Sequence, residues 1–319
     1  MSRNDALLLV VEGRDAATPW IEAFRARLPG WRVVGLSDAF DPARVRHVAA
    51  WRHPYGSLKG LTSLDAIFSL GAGVDHLLGD PDLPPATLVR VVDSDLTARM
   101  TEWVVLHVLR HHRQAERYVR QQHDGLWSDD PLQPAAKDVR VGVMGLGVLG
   151  GDAAAKLKLL GFDVAGWSRT AKTLPGVPTF AGDGGLDAFL RRTQILVVLL
   201  PATPRTQGML DAALIGKLAR DGHLGGPVLI NAGRGALQNE ADILRCLDDG
   251  RLKAATLDVF ETEPLPTTSP LWRHPAVTVT PHNAAISSTG AVADAVAAQI
   301  LAFGRGEPLQ HVVERERAY

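Results

Sequence analysis

Val139 to Met144 is an apolar, β-prone run that passes directly into Gly145-Leu146-Gly147-Val148-Leu149-Gly150. A strand that empties into G-x-G-x-x-G and then into a helix is the arrangement that cradles a dinucleotide pyrophosphate. Gly145 permits the tight turn, Gly147 lets the backbone approach an anion, and Gly150 lets the following helix close on the strand. The free N–H groups at that helix's N-terminus then face the phosphates. The flanks agree with this reading: Ala153 to Leu160 is a helical run stopped by Gly161, and Phe162 to Trp167 reads as the next strand.

Short apolar runs recur on both sides of the loop. Before it come Ala6 to Val11, Arg32 to Leu36, His47 to Trp51, Ala66 to Leu70 and Leu88 to Val92. After it come Ile195 to Leu200, Val228 to Asn231, Ala254 to Val259 and Val277 to Thr280. Alternation of such runs with helical stretches predicts two parallel α/β units. Thr97 to about Gln121 reads as one long helix with a broad apolar face that connects them, and Ala291 to Phe303 as a second long helix. Gln310 to Val313 reads as a closing apolar segment.

The chain has 319 residues, 46% of them hydrophobic, and a formal net charge of −1, enough for one or two sizeable cores. No long basic block favours a nucleic acid, and the apolar run ending at Val11 is too brief to cross a membrane, so a cytoplasmic protein is expected. Cys246 is the single cysteine, expected to be a small buried apolar residue.

Open parallel sheets bind ligands beyond the carboxyl ends of their strands. Three of the predicted strand ends carry chemistry: Asn231-Ala232-Gly233-Arg234-Gly235, then Asp258-Val259-Phe260-Glu261-Thr262-Glu263-Pro264, then Pro281-His282-Asn283. An arginine fork holds a carboxylate through two parallel hydrogen bonds. A histidine exchanges a proton near neutral pH, and a neighbouring glutamate, here Glu263 or Glu261, orients the ring and favours the imidazolium. This set suits reduction of a small 2-keto acid by a nicotinamide.

These motifs, with Leu199-Leu200-Pro201-Ala202-Thr203-Pro204-Arg205-Thr206, resemble the D-isomer-specific 2-hydroxyacid dehydrogenase family over most of the chain. The resemblance implies a catalytic set of Arg234, Glu263 and His282. It also implies nucleotide contacts from Gly145, Leu146, Gly147, Val148, Leu149, Gly150, Leu200, Pro201, Thr206, Ala232, Gly233, Arg234, Asp258 and His282, with Asp258 near the nicotinamide. Ser69-Leu70-Gly71-Ala72-Gly73-Val74-Asp75-His76 is similar to the first-domain loop of the glyoxylate/hydroxypyruvate reductase A branch. In that branch the loop's backbone N–H groups meet the substrate carboxylate, which here implies Ala72 and Gly73, and Trp51 resembles a pocket-lining tryptophan. Pro281-His282-Asn283-Ala284-Ala285 departs from the glycine-rich form common elsewhere in the family but is similar to this branch.

Some two dozen positions after Gly145, where an NAD enzyme places a carboxylate for the ribose, stand Ser168, Arg169 and Thr170. Arg169 can pair with a 2′-phosphate and its neighbours can donate to it, so NADPH is favoured, with NADH the alternative cofactor. No metal is expected: His107 and His111 have helical ligand spacing but lack the intervening glutamate of a zinc motif. The expected architecture is two Rossmann-like or flavodoxin-like doubly wound domains separated by a cleft. Residues 99–285 form the dinucleotide domain, inserted into a substrate domain of residues 1–98 and 286–319. The family resemblance implies a homodimer built around the helix that starts near Thr97. A nucleotide-sensing corepressor of the same fold, with little turnover, is the competing reading.

Overall fold

The computed structural model describes residues 5–12 and 16–315. The chain divides into two compact units, one of residues 1–96 and 287–319, the other of residues 97–286.

The first unit runs through β1 (Ala6–Val11), α1 (Ala17–Arg27), β2 (Arg32–Gly35), β3 (Val45–Trp51), β4 (Ala66–Ser69), α2 (Asp75–Leu78) and β5 (Thr87–Val89). These strands form an all-parallel sheet in the order β2-β1-β3-β4-β5, a doubly wound topology. Alternate residues face opposite layers: Leu7, Leu9, Ala49 and Phe68 enter one core, Leu8, Val10, Val48 and Ile67 the other. Both faces are therefore covered, which is why these strands read as continuous apolar runs. The chain returns to this unit as a long C-terminal helix from Thr289 to Gly304, whose Val292, Val296 and Ile300 pack into the first core. Each such side chain contributes about 1.5–3 kcal/mol on burial.

α3 (Ser94–His112) leads into the second unit, followed by α4 (Ala115–His123), β6 (Arg140–Met144), α5 (Val148–Leu159), β7 (Asp163–Ser168), β8 (Thr179–Ala181), α6 (Gly182–Arg192) and β9 (Ile195–Val198). It continues through α7 (Ala212–Ile215), β10 (Val228–Asn231), α8 (Glu240–Asp248), β11 (Ala254–Leu257) and β12 (Val277–Val279), and the C-terminal helix is α9. The seven strands are parallel in the order β12-β11-β10-β9-β6-β7-β8. The order reverses between β6 and β9, and such a switch point opens a crevice at the carboxyl ends of the strands. The register is unbroken there: Val279, Leu257, Asn231, Val198, Met144 and Trp167 are successive neighbours in one row.

The long helix expected from Thr97 to Gln121 is instead two helices. Met100, Trp103, Val104 and Val108 of α3 pack on the second unit's core, but Gln114 adopts φ 52° and breaks the run. The amide of Gln114 donates to Asp130 and, at 3.3 Å, to Gln133, while Gln133 Nε2 donates to the His112 carbonyl at 2.8 Å. The 130–133 loop thus satisfies the end of α3 and replaces the next helical turn. Edge strand β8 carries no sequence signal, since none of its three residues is buried. Cys246 is buried on α8. Among the described residues no helix is long and apolar enough to cross a membrane.

Several histidines are enclosed. His47 lies in a cage of Trp31, Phe68 and Phe303, and the His107 ring meets Trp103 at a tilt of 53° with ring centroids 4.3 Å apart. Burial pushes each of these imidazoles down to about 4 from 6.5, more than Asp65 or Glu116 offsets. The folded chain keeps them neutral, so between those two pH values the unfolded chain binds more protons. The stability contributed by these two histidines is therefore present above about pH 6.5 and falls as the pH drops towards 4. A urea midpoint that declines over this window is expected, and one that stays constant from pH 7 to 4.5 would contradict it.

Candidate active site

Within the second unit, the segments that carry the expected site residues begin just beyond the row that ends the strands. Gly145 follows Met144, Leu200 and Pro201 follow β9, Ala232 to Arg234 follow Asn231, Asp258 follows Leu257, and His282 follows β12. Alignment of the strand ends thus gathers segments far apart in sequence.

His282 is the most constrained of them. Its backbone adopts φ 51°, a left-handed conformation that a side chain disfavours. Four hydrogen bonds accepted by Asp258 hold that shape. The His282 N–H donates to the Asp258 carbonyl at 2.8 Å. Asp258 Oδ1 accepts from Thr280 Oγ1 at 2.5 Å and from the Asn283 N–H at 3.0 Å. Its Oδ2 accepts from the Ala284 N–H at 3.0 Å. Asp258 is 1% exposed, so its carboxylate organises the loop from within the fold.

The imidazole reaches Glu263. Nδ1 lies 2.7 Å from Glu263 Oε2, and Glu263 Oε1 accepts from the Phe260 N–H at 3.1 Å. Glu261 does something else: its Oε1 accepts from the Glu240 N–H, and Glu240 Oε1 accepts from the Glu261 N–H, each at 2.8 Å. The two carboxylates of the D-V-F-x-x-E-P element are therefore distinguished by geometry. With Nδ1 directed at a carboxylate, that nitrogen carries a proton and Nε2 faces away from Glu263.

Arg234 stands on the adjacent loop, half-buried, with a guanidinium N–H on the Gly233 carbonyl at 2.8 Å. The loop is shaped by buried Asn231, whose Oδ1 accepts from the Gly233 N–H at 3.0 Å.

The residues present fit a dinucleotide. A Cβ at Gly150 would fall 1.8 Å from the Gly145 carbonyl, so α5 can approach β6 only with glycine there. Nothing lies within 4 Å of a Cβ built on Gly147, which leaves space beside an α5 N-terminus that has no side-chain cap. Uncapped N–H groups at a helix start form an anion site. Leu146 is buried in the core, Val148 is exposed, and Leu149 packs at the edge of that core. At the end of β7, Ser168 Oγ donates to the Thr170 carbonyl at 2.7 Å and folds the Ser168-Arg169-Thr170 turn. Thr206 ties its own loop, accepting from the Thr203 N–H and donating to the Pro201 carbonyl, both at 2.8 Å.

In the first unit, Trp51 ends β3 and meets the turn after β4. A Cβ at Gly71 would fall 2.3 Å from the Trp51 ring, and Ser69 Oγ lies 2.6 Å from the Gly73 carbonyl. The structure thus brings Trp51 against the turn that carries Ala72 and Gly73. His111 donates to or accepts from Thr256 Oγ1 at 2.8 Å, a packing role.

Sequence reasoning missed Thr280, Asn231 as a loop organiser, and Gln238, which is 3% exposed. A polar residue at or beyond a strand end gives no periodic signal that separates a buried side chain from a solvated one.

The model of the D-isomer specific 2-hydroxyacid dehydrogenase NAD binding domain matches residues 105–284. The chain is 40% identical over 305 residues to glyoxylate/hydroxypyruvate reductase A of Serratia proteamaculans, covering 93% of this chain and 95% of that protein. Among solved structures it resembles the NADPH-dependent glyoxylate/hydroxypyruvate reductase of Sinorhizobium meliloti in complex with NADP and sulfate. That match has a TM-score of 0.92 at 46% identity, covering 99% of this chain and 100% of that one. It also resembles a D-isomer specific 2-hydroxyacid dehydrogenase of Xanthobacter autotrophicus in complex with NADPH and MES, with a TM-score of 0.93 at 38% identity, covering 99% of each chain.

Replacing Asp258 by alanine strands the Thr280 hydroxyl and two backbone N–H groups. A loss of about 2–4 kcal/mol in unfolding free energy is expected, measured by urea denaturation. An unchanged midpoint would show that Asp258 does not clamp the loop.

Proposed function

The chain belongs to the D-isomer-specific 2-hydroxyacid dehydrogenase family, and we propose that it reduces a small 2-keto acid, glyoxylate or hydroxypyruvate, with NADPH. The observation that carries this reading is the 2.7 Å pair of His282 and Glu263 in the loops beyond the strand-end row, where Arg234 also stands. The similar proteins of Serratia proteamaculans and Sinorhizobium meliloti are named for that activity, and nothing favours the non-catalytic alternative.

Arg234 binds the substrate carboxylate through its planar fork and draws charge towards the keto oxygen. Ala72, Gly73 and Trp51 of the first unit are further proposed substrate-binding residues. The nicotinamide, when bound, supplies the hydride. His282 gives the Nε2 proton to the oxygen as negative charge develops there, and Glu263 holds the ring and stabilises its charged form. The first-turn N–H groups of α5 hold the pyrophosphate, Leu200, Pro201 and Ala232 line the nucleotide's path, and Arg169, flanked by Ser168 and Thr170, receives the 2′-phosphate. Asp258 acts beside the nicotinamide by keeping the His282 loop in place.

We also assign a homodimer. Leu126, Trp127 and Leu132 follow α4 in one exposed segment, with Trp127 99% and Leu132 69% accessible. Such apolar exposure fits burial against a second copy. A cytoplasmic location completes the proposal; recovery of the activity only with membranes or outside the cell would refute it.

The decisive assay follows NADPH and NADH oxidation with glyoxylate, hydroxypyruvate, pyruvate and bulkier 2-keto acids. Turnover of the small acids with preference for NADPH is expected, and no oxidation with any of them ends the reductase reading. His282→Gln should lower kcat by about 100-fold or more, and Arg169→Ala should weaken NADPH far more than NADH. Wild-type kcat in the first variant, or an unchanged cofactor ratio in the second, would remove the corresponding assignment. Trp127→Asp should give a monomer by light scattering; a mass unchanged from a wild-type dimer would remove this segment from the interface, and a wild-type monomer would remove the dimer.

A further inference from the structure

Gln238 lies just past the turn Gly235–Leu237, and both ends of its buried amide are engaged. Oε1 accepts from Asn231 Nδ2 at 2.9 Å, and Nε2 donates to the Val259 carbonyl at 2.8 Å and reaches Glu240 Oε1 at 3.3 Å. Asn231 Nδ2 also lies 3.3 Å from the Arg234 carbonyl. The Val259 carbonyl and the Phe260 N–H belong to one planar peptide group. That N–H is the donor that holds Glu263 Oε1 at 3.1 Å, and the other oxygen of Glu263 holds His282.

We infer that Gln238 is a positioning residue for the proposed reduction: its amide joins the Arg234 loop to the peptide that fixes Glu263, and through Glu263 it aims the His282 imidazole. The inference rests on the function proposed above. The residue type is dictated by the site. An aliphatic side chain would strand the Val259 carbonyl, and a carboxylate would lack the donor that this carbonyl requires. Only an amide accepts from Asn231 and donates to Val259 at this length. A donor on the carbonyl also polarises the Val259–Phe260 peptide and strengthens its N–H bond to Glu263. The two loops are in close backbone contact as well, since a Cβ on Gly235 would fall 1.7 Å from the Phe260 carbonyl. A turn of the Val259–Phe260 peptide therefore moves Glu263 and disturbs the Arg234 loop together.

The test uses Gln238→Met, of similar volume and without hydrogen-bonding ends. Gln238→Glu keeps the acceptor for Asn231 and loses the donor to Val259, so it carries the test if the methionine variant does not fold. The expected kcat falls by about 10- to 100-fold, with an unchanged KM for NADPH and an increased solvent deuterium isotope effect on kcat. In a His282→Gln background the same substitution should cost nearly nothing, because residues that act as a unit are non-additive. Full additivity in that background, or a kcat loss with no change in the isotope effect, would overturn the inference. A second readout needs no turnover: in protein labelled with 15N-histidine, the Nδ1 signal of His282 should move in the Gln238 variants. If the wild type reduces no 2-keto acid, the functional proposal fails and this signal alone decides whether Gln238 governs the His282–Glu263 pair; an unmoved signal overturns it.

Discussion

The site depends first on the hold that Asp258 has over the residues after β12. A left-handed histidine costs of order 1–3 kcal/mol, and it persists only where its surroundings over-determine it. Here the main chain of Asp258 fixes the His282 N–H, while its carboxylate fixes Thr280, Asn283 and Ala284 around it. The imidazole is consequently presented by a loop with little freedom, and its 2.7 Å approach to Glu263 follows from that backbone. A histidine on a free loop would meet a carboxylate only part of the time, and proton transfer demands a fixed donor.

That hold works because β10, β11 and β12 end in register. Asn231, Leu257 and Val279 are neighbours in one row, so the residue after each begins its loop at the same height. The same row continues through Val198 and Met144 to Trp167, which puts the glycine turn and the Ser168-Arg169-Thr170 turn level with the histidine. A one-residue slip of any strand would turn its apolar set out of the core and its loop away from the others. Apolar packing on both sheet faces thus enforces the geometry of a polar site built from distant segments.

This explains which features were legible in the sequence. The glycine loop and the strand-end motifs combine local chemistry with an apolar run, so they reveal both position and residue type. The break at Gln114 could not be seen, because it arises from the 130–133 loop bonding back to His112 and Gln114, a tertiary effect that overrides helix periodicity. Glu261 and Glu263 differ only in where their carboxylates point, and that is decided by Glu240 on one side and His282 on the other. The importance of Asp258 to loop structure was hidden for a similar reason, since its partners lie more than twenty residues later.

Beneath the exposed groups lies a layer of buried polar side chains, and its presence has a physical cause. Where parallel strands stop, their last peptide groups lose their ladder partners, yet the crevice keeps them away from bulk water. Asn231, Gln238 and Asp258, all at most 3% exposed, supply those partners. A network of this kind is stabilising only when every member is satisfied, which makes it rigid. Arg234 and His282 stand on that layer rather than on mobile loops. The fold therefore converts an unavoidable deficit of backbone hydrogen bonds at the sheet's edge into the stiffness that a proton donor and a carboxylate fork require.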